Sequence, residues 1–181
     1  NTNGFVLGDK SKYSIAINAQ PGDVLRILVE NHGRGDNGVT SYDNKKGLKE
    51  NVSLDGVPLK NWYSCGINLT KASIDSLSTS FFAENNEVVL PDKAVSAPGV
   101  YIGQFSADVL TDTFFDSRGW GKGQLFINGY NLGRYWPLAG PQMTLYVPKP
   151  YIQKTNTILL IELNGAQQNY ANFSNHAVWT N

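Results

Sequence analysis

The chain has 181 residues, 41% of them hydrophobic and 12% aromatic, which is enough to bury a core as one large or two small domains and argues against disorder. Fifteen basic residues cancel fifteen acidic ones, and no Lys/Arg run exceeds Lys45–Lys46, which argues against sequence-independent nucleic-acid binding. No apolar run approaches the ~20 residues of a membrane-spanning helix, so neither nucleic acid nor membrane is an expected partner.

The opening Asn1-Thr2-Asn3-Gly4 is polar and does not read as a secretion signal, so a secreted protein is expected here in a mature or trimmed form. Tyr13–Asn18 alternates with period two, with Ile15 and Ile17 on one face, and predicts a strand. Pro21–Gly22 predicts a turn, and Val24–Val29 reads as a short strand covered on both faces. Composition shifts around Thr70–Asn86, where Ser73, Ser76, Ser78, Thr79 and Ser80 crowd together. That stretch reads as an exposed connection, or alternatively as a weakly patterned strand pair. Tyr101–Phe105, Thr113–Phe115, Gln124–Asn128, Thr144–Val147 and Thr157–Leu163 are strand-like runs bounded by Gly, Pro, Asn or Asp. Asn128–Gly129 is the strongest hairpin signal. No stretch sustains a period of 3.6; the nearest approach is one turn at Ser106–Leu110. Many short strands with regular punctuation predict an all-β protein, a sandwich or barrel. The expected division is an incomplete β-sandwich unit at 1–75, a connection at 76–94 and a second β-sandwich at 95–181.

An internal repeat supports two related units. Gly4-Phe-Val-Leu-Gly8 is similar to Gly129-Tyr-Asn-Leu-Gly133, and each is followed by an alternating strand, a Pro-containing turn and an apolar run. The second copy is preceded by several strands' worth of sequence and the first by three residues. The first sandwich would then lack its opening strands, and another chain or a twin is expected to complete it.

The single cysteine, Cys65, permits no intrachain disulfide and reads as a buried, inert thiol. An intracellular chain fits that, and so does a lysosomal or secreted chain whose core needs no staple. Three Asn-x-Ser/Thr triplets, at Asn51, Asn68 and Asn172, favour the secretory route, with each asparagine a candidate glycosylation site.

The most patterned stretch runs from Gly119 to Pro148. It reads Gly119-Trp120-x-Lys122-Gly123-Gln124, then Asn128-Gly129-x-Asn131-Leu132-Gly133-Arg134-Tyr135-Trp136-Pro137, then Gly140-Pro141-Gln142-x-x-Leu145-Tyr146-x-Pro148. In spacing and identity it resembles the C-terminal β-domain of family 35 glycoside hydrolases, the β-galactosidases of lysosomal and plant type. Val29-Glu-Asn-His-Gly-Arg34 resembles a second stretch of that family, and Gly47-Leu48 followed by Val52–Trp62 fits the segment after it. The resemblance covers most of residues 4–164. It implies jelly-roll, galactose-binding-like β-sandwiches that follow a catalytic barrel, with the two catalytic glutamates in the barrel. The glutamates of this chain are Glu30, Glu50, Glu84, Glu87 and Glu162, and none matches those motifs. A retaining glycosidase needs two carboxylates about 5 Å apart, and nothing nominates a pair here. No catalytic residue is therefore assigned.

On the same resemblance, Trp120, Tyr135 and Trp136 are expected as core or interface aromatics whose polar tips seek partners. Arg134 is suited to pair with a carboxylate or to stack on an aromatic face. Family members close the loop after Asn-x-Gly-Arg with Asn-Tyr-Gly, and that Tyr contacts galactose. Here the loop reads Arg34-Gly-Asp-Asn37-Gly38, so Asn37 stands where the Tyr would be. It keeps hydrogen bonding and loses the aromatic face.

Other chemistry is weaker. His32 and His176 lie far apart, so a metal site is not expected. Asp36-Asn37 and Asp43-Asn44 read as turns rather than calcium ligands. The Arg34-Gly-Asp36 triplet is too short to signify adhesion. No cofactor is expected. The resemblance implies the non-catalytic β-domain portion of a β-galactosidase-like hydrolase, supporting the barrel and walling its sugar site, in the lysosome or outside the cell. The candidate carbohydrate-binding residues are Arg34, Asn37, Trp120 and Trp136; the alternative function is a free-standing galactoside-binding, lectin-like module that stacks sugars on Trp62, Trp120 and Trp136. The expected partners are galactosides, with a barrel-bearing chain under the first reading or copies of this chain under the second. An autonomous hydrolase is disfavoured by the missing carboxylate pair. The two units are expected to pack through apolar faces that include Phe81, Phe82 and Trp62.

Overall fold

The computed structural model describes residues 14–30, 47–48, 52–84 and 97–180. The chain divides into two units, 1–66 and 67–181, and each is described by itself.

In the second unit, the run read as Thr157–Leu163 becomes the long strand β8 (Thr155–Glu162). It lies between β3 (Gly99–Ser106) and β5 (Gly123–Ile127), and β5 pairs in turn with β6 (Tyr130–Tyr135). A second sheet has the order β7 (Thr144–Val147), β4 (Thr113–Asp116), β9 (Asn172–Ser174). Every pairing is antiparallel. This is the all-β, galactose-binding-like sandwich expected for this half.

The alternation of side chains along each strand explains why β8 is apolar at successive positions. Ile158 and Leu160 join Leu125, Ile127, Phe115, Leu145 and Val147 in the core. Leu159, between them, points the other way and packs with Phe126 and Ile74. Ile74 belongs to α1 (Lys71–Glu84), which covers part of the outer face of the four-stranded sheet. Burial on both faces is the physical reason for the run Ile158-Leu-Leu-Ile161.

The helix corrects the reading of Thr70–Asn86 as a connection, and Ser106–Leu110, the nearest helical signal, is not helical. The crowded hydroxyls that suggested a loop are satisfied within the helix. Ser78 donates to the Ile74 carbonyl and Thr79 to that of Asp75, each at 2.9 Å. Only Ile74 and Ser78 are buried, so the apolar stripe is too narrow to register as a period.

Asn128 (φ 48) and Gly129 (φ 78) form the expected hairpin between β5 and β6, both left-handed as a type I′ turn requires. The Asn128 side chain does more than tolerate the turn. Its Nδ2 donates to the Tyr151 carbonyl at 2.7 Å and to Asn156 Oδ1 at 2.8 Å, and its Oδ1 accepts from the Thr157 N–H at 2.9 Å. Beyond the turn, the register slips between Leu125 and Phe126, opposite Asn131 and Gly133. Gly133 (φ 100) supplies the left-handed residue of this bulge.

In the first unit, Pro21–Gly22 makes its turn, with the Asp23 N–H donating to the Gln20 carbonyl at 3.0 Å. The strands expected at Tyr13–Asn18 and Val24–Val29 are not formed among the described residues. A strand exists only where a neighbour takes its hydrogen bonds, and alternation alone supplies none. The side chains of Val24, Leu25, Ile27, Leu28 and Val29 are exposed. The paired strands described here are β1 (Ser53–Leu54) and β2 (Val57–Pro58), joined by Asp55-Gly56. Asp55 (φ 49) and Gly56 (φ 80) make a second type I′ turn, which the Asp-Gly dipeptide favours. Cys65 is exposed, which corrects its assignment as a buried thiol. The opening copy of the repeat, Gly4–Gly8, lies outside the described residues.

Candidate functional site

The Gly-rich opening of the patterned stretch, Gly119–Gly123, wraps one carboxylate. Glu162 ends β8 and is 1% exposed. Its Oε2 accepts from the Gly121 N–H at 3.0 Å and the Tyr135 hydroxyl at 2.9 Å. Its Oε1 accepts from the backbone N–H groups of Lys122 (3.0 Å), Asn164 (2.8 Å) and Gly165 (3.0 Å). A buried carboxylate has about four lone-pair directions to satisfy, and five donors occupy them. The glycines permit this convergence. A Cβ on Gly121 would stand 2.7 Å from Asn164 Cβ and 2.8 Å from Glu162 Oε1.

Tyr135 joins this cluster from the core side. Burial first, and then the charge of Glu162, push its phenol well above the ordinary value of 10.0. The same causes, in the same order, raise Tyr101, whose ring meets Trp120 edge-to-face at 5.3 Å. The folded state thus favours the neutral Tyr135 phenol. That contribution is complete below about pH 10 and falls away as pH rises from there toward the folded value. Alkaline unfolding of the wild type should therefore show a steep loss of stability above pH 10. Tyr135→Phe should flatten that slope while costing about 1 kcal/mol near neutrality. An unchanged slope in denaturant melts at rising pH would show that the phenol is not held neutral.

The other buried carboxylate, Asp116, is also committed. It accepts from Arg118 Nε at 2.9 Å and from the Arg118 backbone N–H at 3.0 Å. Arg118 holds its carboxyl below the usual range. Among the described residues, both buried carboxylates therefore serve the fold. In the sequence Glu162 stands out only as a glutamate that matches no catalytic motif. The available signal was an acid closing a fully apolar run, since a buried charge demands partners.

Trp120 is 5% exposed and sits in the sandwich core. A ring so enclosed has no face to offer a sugar, which corrects its place among the carbohydrate contacts. Trp136 is half-buried at the end of β6, with Lys122 Nζ 4.4 Å and Arg134 Cζ 5.6 Å from its ring centroid. Arg134 therefore stacks on an aromatic, one of its two expected roles. Arg34, Asn37 and Asn51 lie outside the described residues. Asn68 and Asn172 are both exposed, as an attached glycan requires. Asn68 accepts from the Thr70 N–H at 3.1 Å just before α1, and Asn172 begins β9 at the edge of the smaller sheet. Trp62 is 45% exposed in the first unit, with its indole N–H donating to the Leu59 carbonyl at 3.2 Å. His176 is exposed beside Asn175. No helix among the described residues is long and apolar enough to cross a membrane.

Comparison with known proteins fits both units. Residues 2–68 match the family model of the β-galactosidase first all-beta domain, and residues 98–157 match that of the β-galactosidase galactose-binding domain. A β-galactosidase of Bos taurus is 37% identical over 172 residues, covering 89% of this chain and 26% of the relative. One from Canis lupus familiaris is 38% identical over 166 residues, covering 84% of this chain and 24% of the relative. The human β-galactosidase-1-like protein 2 is 38% identical over 141 residues, covering 77% and 21%. The chain thus spans about a quarter of the length of the curated relatives it matches. It belongs to the β-galactosidase family, as that family's first all-β domain followed by its galactose-binding domain.

Proposed function

We propose that this chain supports the catalytic barrel of a β-galactosidase-like glycoside hydrolase and helps to wall its sugar site. The reading rests above all on the exposed apolar run Val24–Val29 in the first unit. Five apolar side chains in six residues, interrupted only by Arg26 and without a sheet partner among the described residues, are a surface that a larger body would cover. The patterned stretch Gly119–Pro148 agrees with this role, because its residues build the sandwich and serve no reaction. Arg34, Asn37 and Trp136 are the proposed sugar contacts. The proposed location is the secretory route, lysosomal or secreted, with glycans on Asn51, Asn68 and Asn172.

Native mass spectrometry of the protein from its source, before and after enzymatic removal of N-glycans, tests these points together. The expected result is a complex with a barrel-bearing chain, or a single longer chain containing both, and a mass loss on deglycosylation. A lone unit or homo-oligomer that elutes from a galactose resin with free galactose would replace this reading with the lectin-like one. The exposed Trp62, Tyr63 and Trp179 would then be the first stacking candidates.

A further inference from the structure

The outer face of the four-stranded sheet changes character along its strands. Near Ile74 it is apolar, with Ile102, Phe126, Leu159 and Ile161. Toward the other end the same alternation brings up Gln104 on β3 and Thr157 on β8. The helix α1 covers the apolar part and stands off the polar part. Between them is a cleft of about 460 Å³. Its size lies within the range of small-molecule sites.

The lining has a definite chemistry. Lys71 and Asp75 are its only charged groups, and they form an ion pair with each other, so the cleft has no net charge to offer a phosphate or carboxylate. The rest is amide, hydroxyl and one aromatic ring. Gln104 and Gln153, both exposed, bring carboxamides to the lining. The Ser78 and Thr79 hydroxyls donate to helix carbonyls, which leaves their oxygens able to accept. Phe82 adds an apolar surface, as the C–H face of a pyranose needs.

The wall at Asn128 is formed before any ligand arrives. Asn128 is held by its three side-chain hydrogen bonds. Beside it Tyr130 and Tyr151 stack with centroids 4.0 Å apart and planes 3° from parallel, and Lys71 Nζ lies 5.0 Å over the Tyr130 ring. Preformed walls lower the ordering cost of binding.

We propose that this cleft between α1 and the outer sheet face binds a neutral hexopyranose, through residues other than the sugar contacts proposed above. The claim rests on the carbohydrate reading above only for the choice of probe.

The test is a titration of the isotopically labelled full chain with methyl β-galactoside, methyl β-glucoside and glucuronate, following side-chain amide signals by NMR. The expected result is saturable shifts of Gln104, Gln153 and Asn128 with at least one neutral glycoside, and none with glucuronate at equal concentration. The double variant Gln104→Ala/Gln153→Ala removes two exposed side chains, and its unperturbed backbone spectrum reports retained folding. It should weaken binding about tenfold or more. Absence of shifts with both neutral glycosides would overturn the proposal, as would equal affinity in the double variant. Shifts confined to Trp136 would also overturn it while leaving the proposed function standing. Failure to find a barrel partner would remove the proposed function and leave this site untouched.

Discussion

Gly123→Ala is expected to prevent the sandwich from folding, or to lower its melting temperature by ~10 °C or more. A Cβ at this position would lie far inside van der Waals contact with the backbone carbonyl oxygen of Ile161, and 2.5 Å from the Tyr135 hydroxyl. The carbonyl cannot move alone, because Ile161 is held in β8 between β3 and β5. Relief would separate the two central strands or displace Tyr135 from Glu162. Either costs roughly 4 kcal/mol or more, in the range reserved for severe core disruption. Gly103→Ala provides the contrast. Its Cβ would meet Ile158 Cγ2 at 3.5 Å, ordinary contact, so a change within about 0.5 kcal/mol is expected. Thermal melts of the two variants beside the wild type decide the matter. If Gly123→Ala melts with the wild type, the close approach of β5 to β8 is not a real constraint.

Glu162→Ala should cost about 4 kcal/mol, and Glu162→Gln about half of that. The alanine variant leaves four backbone N–H groups and a phenol facing a void at the end of β8. Glutamine preserves the volume and one acceptor, but its own N–H₂ must then point at donors. The order of the two variants carries the argument, since a carboxylate of no structural value would make them equal. A second readout separates electrostatics from packing. Removing the negative charge lets Tyr135 ionise at lower pH, so ultraviolet titration of Glu162→Gln should show tyrosinate forming earlier than in the wild type. Equal melting of Glu162→Gln and the wild type would show that the carboxylate is not the staple of this turn.

These two positions also mark how far the sequence could be read. The strands of the second unit were legible because each is a short β-rich run between turn residues. Expected and observed limits differ by two residues or fewer at Tyr101–Phe105, Thr113–Phe115, Gln124–Asn128 and Thr144–Val147. The hairpin at Asn128–Gly129 was legible because few dipeptides accept two successive left-handed residues. The helix was not, because its hydroxyls bond to its own carbonyls and one isoleucine supplies most of its anchorage. The strands expected at Tyr13–Asn18 and Val24–Val29 show the opposite case, in which a good pattern finds no strand partner among the described residues.

The candidate site divides along the same line. Arg134 on Trp136 could be anticipated, since the two are only two residues apart where the chain leaves β6. Lys122 on the same ring could not, because it arrives from the neighbouring strand's approach. Trp120 could be read as a core aromatic or as a sugar contact, and its burial places it in the core, a distinction that composition cannot make for an amphipathic ring.

By itself the sequence determined the all-β class, the family and the turn chemistry of the second unit, because these depend on local residue preferences and on a patterned stretch that survives as text. Only the tertiary structure decided what that stretch is for. Gly123, Tyr135 and Glu162 come from three different strands, and Gly121 from the loop that leads into the first of them. Their meeting depends on register across the sheet, and no local spacing encodes which backbone N–H will face which carboxylate oxygen.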